Sequence, residues 1–436
     1  MIAPRKPLFV ALAVLAMGGL AVGIAPDPGN LWWLLFGAVL LIGAADAWLS
    51  WRYRPVFEVE RKLPMSLPLG GVRQASLRLR HPHRHPVTVE VFDHPPETMG
   101  FRGLPGRLVV APFTTQTLEY TLLPRQRGEQ LFTTLQLRTV SKLKLWQLTE
   151  RLDCPGHCRV YPDFRPIGAY ARLAAHHRLG QMGIHQLRRR GEGREFHQLR
   201  EFRHGDPLRR IDWKATSRQH KLISREYIEE RNQEILLLLD CGLRMRTRDQ
   251  SLSHFDHSLN AALLLAWVAL QQEDAVGVAT FGGPQRWLPP ARGHVALHHI
   301  LNKIYDLQPG NDWPDYAETA RNVLLRQKKR ALVIFITNVR DEDNSDLHQA
   351  LSLLKKHHLV LIASLREEVL ATDSGSTIHG FDDALRLTAL YEYLHHRQHA
   401  FNRLRSAGAI AIDSAPSQLS AALVNQYLAI KSSGQL

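Results

Sequence analysis

Two long apolar runs open the chain. Residues 8–25 carry no charge, and residues 31–51 carry only Asp46. Each run approaches the roughly 20 residues that a helix needs to cross the hydrocarbon core of a bilayer. Between them lies Pro26-Asp27-Pro28-Gly29-Asn30, a turn without a basic residue. Arg5 and Lys6 flank the first run, and Arg52 and Arg54 flank the second. Lys and Arg are retained on the cytoplasmic side, so the pattern predicts a two-helix transmembrane hairpin over 1–54 with both ends in the cytoplasm. Trp32 and Trp33 open the second run, and Trp48, Trp51 and Tyr53 close it. At about 1.5 Å per residue, Trp32 and Trp51 are roughly 28 Å apart, the spacing of two interfacial aromatic belts. A cleaved signal peptide is the competing reading; Pro26 and the immediate second run argue against it. Asp46, near the cytoplasmic end, is expected to reach towards polar headgroups.

From Val56 the period changes to two. Val56 to Glu60, Ala75 to Arg80, Val87 to Val91, Thr117 to Leu122 and Leu131 to Val140 alternate, with Pro and Gly clusters between them. That predicts an antiparallel, immunoglobulin-like β-sandwich over 55–162. His81, His83 and His85 could share a strand face, but Pro82 and Pro86 favour a loop. Cys154-Pro155-Gly156-His157-Cys158 reads as a turn between strands. It lacks the second Cys/His pair of a closed zinc site.

After Glu234 strands and helices alternate. Glu234 to Asp240 is an unbroken apolar run ending in a carboxylate, as a buried parallel strand reads. Further strands are expected at Ala275 to Phe281, Ala331 to Thr337, Leu359 to Leu365 and Ala409 to Asp413. Helices are expected at Ser258 to Gln272, His294 to Leu307, Asp315 to Gln327, Asp346 to His357, Ala384 to Ser406 and Ser417 to Lys431. The alternation predicts an α/β doubly wound domain over 233–436. Ligands in such folds bind at the carboxyl ends of the strands, where Asp240 and Asn338 fall.

Composition adds charge. The 436 residues sum to a formal +14, which points to an anionic partner such as a membrane face, an acidic protein or nucleic acid. The three cysteines, an odd and low number, fit a reducing compartment. Residues 178–225 hold 13 Lys/Arg against 5 Asp/Glu, the core of a basic segment over 163–232. Its carboxylates alternate with arginines, as in a belt of satisfied ion pairs. If those pairs are buried, removing Asp212 or Arg200 destabilises strongly, because the partner stays behind unpaired.

Gly193-Arg194-Glu195-Phe196, Leu199-Arg200-Glu201-Phe202 and Gly205-Asp206-Pro207-Leu208-Arg209-Arg210-Ile211-Asp212-Trp213-Lys214 resemble the signature of the "domain of unknown function 58" family. Glu226, the apolar strand and Asp240 follow in that family's order, and Arg127-Gly128 and Leu145-Trp146 sit in place within the β region. The resemblance implies a von Willebrand factor A-like terminal domain and association with MoxR-type AAA+ ATPases, whose partners help to assemble or activate other proteins. It implies no catalytic activity. It marks Glu195, Arg200, Asp206, Arg209, Asp212, Trp213 and Lys214 as signature and partner-docking residues. Related A domains often hold Mg²⁺ on Asp-x-Ser-x-Ser plus a Thr and an Asp. Here Gly242 and Arg244 replace the two serines and Asn338 the later Asp, so a degenerate site without metal or cofactor is expected at Asp240. Arg244 could pair with Asp240 in the cation's place, or point to solvent. Restoring Ser at 242 and 244 and Asp at 338 would be expected to rebuild the site.

The expected role is a non-enzymatic adaptor in the bacterial inner membrane, multi-pass, acting with such an ATPase. The alternative is a membrane-tethered hydrolase, nuclease or nucleic-acid binder using 178–225. It is disfavoured by the absence of a phosphate loop, zinc-protease helix or nucleophile elbow.

Overall fold

The computed structural model describes the chain except residues 23–28, 83–84, 169–194, 204–205, 207, 229–232, 250–251, 369–379 and 436. It divides into two compact units, residues 1–161 and 162–436.

The first unit opens with strand β1 (Ile2–Pro4), helix α1 (Lys6–Val22) and helix α2 (Gly29–Arg52). Within α2, residues 32–52 are long and apolar enough to cross a membrane; α1 is a shorter apolar helix. Strands β2 (Glu58–Lys62), β3 (Ser66–Pro68), β4 (Arg73–Arg80), β5 (Val87–Asp93), β6 (Met99–Arg102), β7 (Gly106–Val110), β8 (Thr115–Pro124), β9 (Gly128–Val140) and β10 (Trp146–Tyr161) follow. They form two sheets. One runs β1-β10-β9-β5-β7, with β3 beside β10, and the other runs β2-β4-β8-β6. Period-two alternation buries Leu77, Leu79, Tyr120 and Leu122 of one sheet and Val89, Val91, Leu135 and Leu137 of the other.

A buried ion pair joins the sheets. Arg61 of β2 binds Asp93 of β5 through Nη2 at 2.5 Å and Nε at 3.1 Å. The Tyr120 hydroxyl donates to the same carboxylate, and the Arg61 guanidinium lies 5.2 Å from the centre of the Phe132 ring. Burial raises the Tyr120 pKa well above its ordinary value, and the adjacent Asp93 adds to this, so the phenol stays a donor.

Two expectations for this unit are corrected. Cys154 to Cys158 do not form a turn but lie inside β10, which pairs with β9 and shifts register between Asp153 and Gly156. Pro155, with no N–H to give a ladder, falls in that irregularity. Burial pushes the Cys158 thiol up to about 11. Asp46 does not reach outward: it is buried and accepts the Leu143 amide at 3.3 Å. His81 is also buried, its Nε2 2.8 Å from the Val110 carbonyl; His83 lies outside the described residues.

The second unit begins its described part with a two-stranded arm, β11 (Glu195–Glu201) against β12 (Ile223–Ile228), enclosing the short helix α3 (Trp213–Gln219). The remaining strands are β13 (Glu234–Asp240), the two-residue β14 (Arg248–Asp249) and β15 (Leu252–Ser253), β16 (Ala275–Phe281), β17 (Trp287–Ala291), β18 (Ala331–Thr337), β19 (Leu359–Leu365) and β20 (Ile410–Ser414). The main sheet has the order β17-β16-β13-β18-β19-β20. All neighbours are parallel except β17. Strand β17 does not stand out in the sequence because of Pro289 and Pro290, which a sheet tolerates only at an edge; β17 is that edge.

Helices cover both faces. On one side α4 (His254–Gln271), α5 (His294–Ile304) and α9 (Leu419–Ser433) pack on Leu237, Leu239, Val278 and Ile334. On the other α6 (Tyr316–Arg326), α7 (Asn344–Leu354) and α8 (Phe381–Ser406) pack on Leu236, Leu238, Val333 and Phe335. Alternate residues of one strand thus serve opposite cores, which is why β13 reads as an unbroken apolar run. Helix α4 starts at a capping box between Ser253 and Asp256.

Candidate functional site

Strand β13 neighbours β16 on one side and β18 on the other. The chain therefore leaves the sheet in opposite directions from this point, and the crevice between the carboxyl ends of β13 and β18 is the topological switch where open α/β sheets bind ligands. Asp240 ends β13, and Thr337 and Asn338 end β18.

Asp240 is buried. Its Oδ1 accepts the Gly242 amide at 2.7 Å, and its Oδ2 accepts the Thr337 hydroxyl at 2.6 Å. The Tyr316 hydroxyl lies 2.8 Å behind Thr337 Oγ1. Desolvation pushes the Asp240 pKa from an ordinary 3.8 up to about 6, against the two hydrogen bonds and the nearby Arg244. Residues 310–314 close the crevice: the Gly310 amide donates to the Cys241 carbonyl at 2.7 Å, and the Leu243 amide to the Asp312 carbonyl at 3.0 Å.

Arg244 does neither of the things expected of it. It is buried rather than solvent-facing, and its ion pairs are with Asp343 and, at 3.1 Å, Glu342, not with Asp240. Its guanidinium also lies 5.0 Å from the centre of the Trp313 ring. Asn338 is buried and donates through Nδ2 to Glu367 at 2.9 Å. Arg397, from α8, closes the far side. It binds Asp413 at 2.8 Å, the carbonyls of Val339 (2.7 Å) and Leu365 (2.8 Å), and the Ser364 hydroxyl at 2.9 Å. One guanidinium thereby ties together the ends of β18, β19 and β20.

These residues do not fit a hard dication, which needs six or more oxygen donors. Both Asp240 oxygens are engaged by donors. A Cβ at Gly242 would lie 2.9 Å from both Asp240 Oδ1 and the Asp312 carbonyl, so the expectation that Ser at 242 would help to rebuild a metal site is corrected: the serine has no room. Calorimetric titration of the detergent-solubilised full chain with Mg²⁺ or Mn²⁺ should show no heat that Asp240→Ala removes. Micromolar binding lost in that variant would contradict this geometry.

The signature residues lie on the arm. Glu195 opens β11 opposite Ile228. Arg200 makes a bidentate pair with Asp206, both contacts at 2.8 Å. Asp206 also accepts the Arg203 amide at 2.9 Å. Asp212 caps α3 by accepting the Lys214 and Ala215 amides at 3.0 Å, and pairs with Arg225 at 2.9 Å. Lys221 pairs with Glu201 at 2.9 Å. The Arg200 bond holds the Asp206 carboxyl below its usual range, helped by the Arg203 amide. The Ala215 amide does the same for Asp212, helped by Arg225. The pairs thus form a belt, but one lying near the surface: the side chains of Arg200 and Arg225 are 27% and 47% exposed. The strong destabilisation that burial would have brought is therefore corrected to a small one for Arg200→Ala, whose partner Asp206 stays 18% exposed, and to a moderate one for Asp212→Ala, which also loses the α3 cap. Trp213, Leu208, Arg209 and Lys214 are exposed on the same arm. Residues 178–194 lie outside the described residues.

The sequence reading found Asp240, Gly242, Arg244 and Asn338 but missed Asp343, Glu342, Trp313 and Arg397. The acidic triplet Asp341-Glu342-Asp343, three residues beyond the end of β18, was the available signal for the partners of Arg244.

The chain is therefore a multidomain protein with an N-terminal apolar helix, a β-sheet unit and an α/β unit whose strand ends are closed by charge pairs. Residues 198–384 match the family described as "Protein of unknown function DUF58". The Uncharacterized protein YeaD of Bacillus subtilis (strain 168) is 23% identical over 286 residues, spanning 63% of this chain and 69% of that protein. Among solved structures, the PapD-like domain 7 of human CEP192 is 16% identical over 23% of this chain and 84% of its own, with a TM-score of 0.18. A FixG-related protein from Vibrio parahaemolyticus is 10% identical over 24% and 95%, also at 0.18. Likeness at that level carries no argument about the fold.

Proposed function

We propose that this chain is a membrane-anchored, non-enzymatic adaptor acting with a MoxR-type AAA+ ATPase in the assembly or activation of other proteins. In this reading α1 and α2 both span the bacterial inner membrane and both units face the cytoplasm. The β unit is an immunoglobulin-like sandwich, and the α/β unit is a von Willebrand factor A-like domain with a degenerate metal site. The observation that carries the reading is the arm. Inside the stretch that matches the family, it presents Trp213 and Leu208 at 68% and 73% exposure beside Arg209, Lys214 and Arg218. An exposed aromatic with exposed bases close to it in sequence suits an acidic protein face.

The test is binding of the detergent-solubilised full chain to the purified ATPase. Affinity should weaken about tenfold between roughly 50 and 500 mM salt, and by at least about tenfold in Trp213→Ala, an interface-anchor loss. Salt-independent binding that Trp213→Ala leaves intact would contradict the arm's role. Tighter binding to a DNA duplex than to the ATPase would favour the nucleic-acid alternative.

A further inference from the structure

We propose that the first unit carries a binding site for one anionic phospholipid, where α1 and α2 meet the loop between β9 and β10. The proposal rests on reading the hairpin as membrane-spanning. The hairpin register sets the geometry. A Cβ on Gly43 would contact the Leu8 side chain at 3.7 Å, and Trp32 packs against Gly18 and Gly19. This antiparallel register brings Asp46 level with Arg5 and Lys6. The 141–146 loop seats at that level: the Trp146 indole donates to the Gly43 carbonyl at 2.8 Å, the Leu143 amide to Asp46, and the Arg5 amide to the Leu145 carbonyl at 2.9 Å. The loop carries the exposed Lys142 and Lys144.

The result is a collar with one sign of charge. Arg5, Lys6, Lys142 and Lys144 lie at the level where the helices leave the apolar zone, and Asp46, at the same level, is buried beneath the loop. A groove of about 590 Å³ runs from this level into the apolar zone, lined by Leu8, Leu12, Val39, Leu40, Ala44 and Ala47. Trp48, Trp51 and Trp146 also line it. Such a volume is of ligand-site size. The small side chains at 43, 44 and 47 give the groove its depth, and the tryptophans suit headgroup depth. An acyl chain fits the carbon-lined groove while its phosphate meets the basic collar, as anionic lipids do at basic pockets beside membrane helices. A neutral lipid or an apolar partner helix would cover the groove but leave the collar unmatched.

The test reconstitutes the full chain into vesicles of phosphatidylcholine with or without about one-fifth phosphatidylglycerol, then extracts it for native mass spectrometry. One retained phosphatidylglycerol per chain is expected, with phosphatidylcholine stripped under the same conditions. Lys142→Glu with Lys144→Glu should lower retention at least tenfold, and Ala44→Leu with Ala47→Leu should do so by filling the groove. The charge variant lies in an exposed loop and keeps the proposal testable if the groove variant fails to fold. Equal retention of both lipids, or retention unchanged in both variants, overturns the lipid site alone. A chain that does not float with either vesicle overturns the membrane reading and the lipid site with it.

Discussion

Asp93→Ala is expected to destabilise the β unit by about 3–5 kcal/mol, the loss typical when one partner of a buried pair is removed. The Arg61 and Asp93 side chains are only 2% and 0% exposed, so the guanidinium left behind has little route to water. Tyr120 loses its acceptor at the same time. Hydrogen exchange of β5 and β9 amides in the solubilised full chain should quicken by roughly 100- to 4,000-fold, at about 1.4 kcal/mol per factor of ten. Arg61→Leu combined with Asp93→Leu should cost less than the sum of the two single changes, because the double variant leaves no unpaired charge. Additive losses would mean that the pair acts through packing alone.

Asp240→Asn is expected to stabilise the α/β unit at pH 7 by at most about 3 kcal/mol, from roughly two pH units at 1.36 kcal/mol each, less the cost of turning the new NH2 group toward the Gly242 or Thr337 donor. The folded-state value of Asp240, about 6, lies above the ordinary 3.8. Between those values the folded chain binds the proton more tightly than the unfolded chain does. The contribution of this group is therefore fully present below about pH 4 and lost as pH rises through about 6. The gap between variant and wild type should be near zero at pH 4 and largest at pH 7. An asparagine variant less stable than wild type at pH 7 would show that the crevice favours an ionised carboxylate, as a cation site does.

The two units were unequally legible in sequence. Strands β13, β16, β18 and β19 stood out because both their faces are buried, so the chain spells them as apolar runs. Strands β6 and β7 are short, and β10 has a broken register with a proline in it, so local pattern could not find them. The hairpin helices were visible as apolar lengths, but the burial of Asp46 was not, because its cover comes from a loop nearly 100 residues later. The same holds at the strand ends. Gly242, Arg244 and Asn338 were legible only as positions without metal-ligating side chains. The partners they do have were hidden, because Asp343 lies 99 residues from Arg244 and the groups that Arg397 binds lie at the ends of three strands. Charge complementarity across such separations is set by topology, which no window along the chain reports. Of the signature pairs only Arg200–Asp206 joins neighbours in the alternating run; Asp212–Arg225 and Glu201–Lys221 join residues 13 and 20 apart, so their partners, like their nearness to the surface, were not legible.

In the function we propose, a membrane anchor holds both units on the cytoplasmic side, within reach of an ATP-driven partner. Reporter fusions test it most directly. Full-length chains carrying a topology reporter at position 28, at position 60 or after residue 436 should read as external, cytoplasmic and cytoplasmic in turn. A reporter after residue 436 that reads as external would contradict the account, since no cytoplasmic ATPase could then reach the arm.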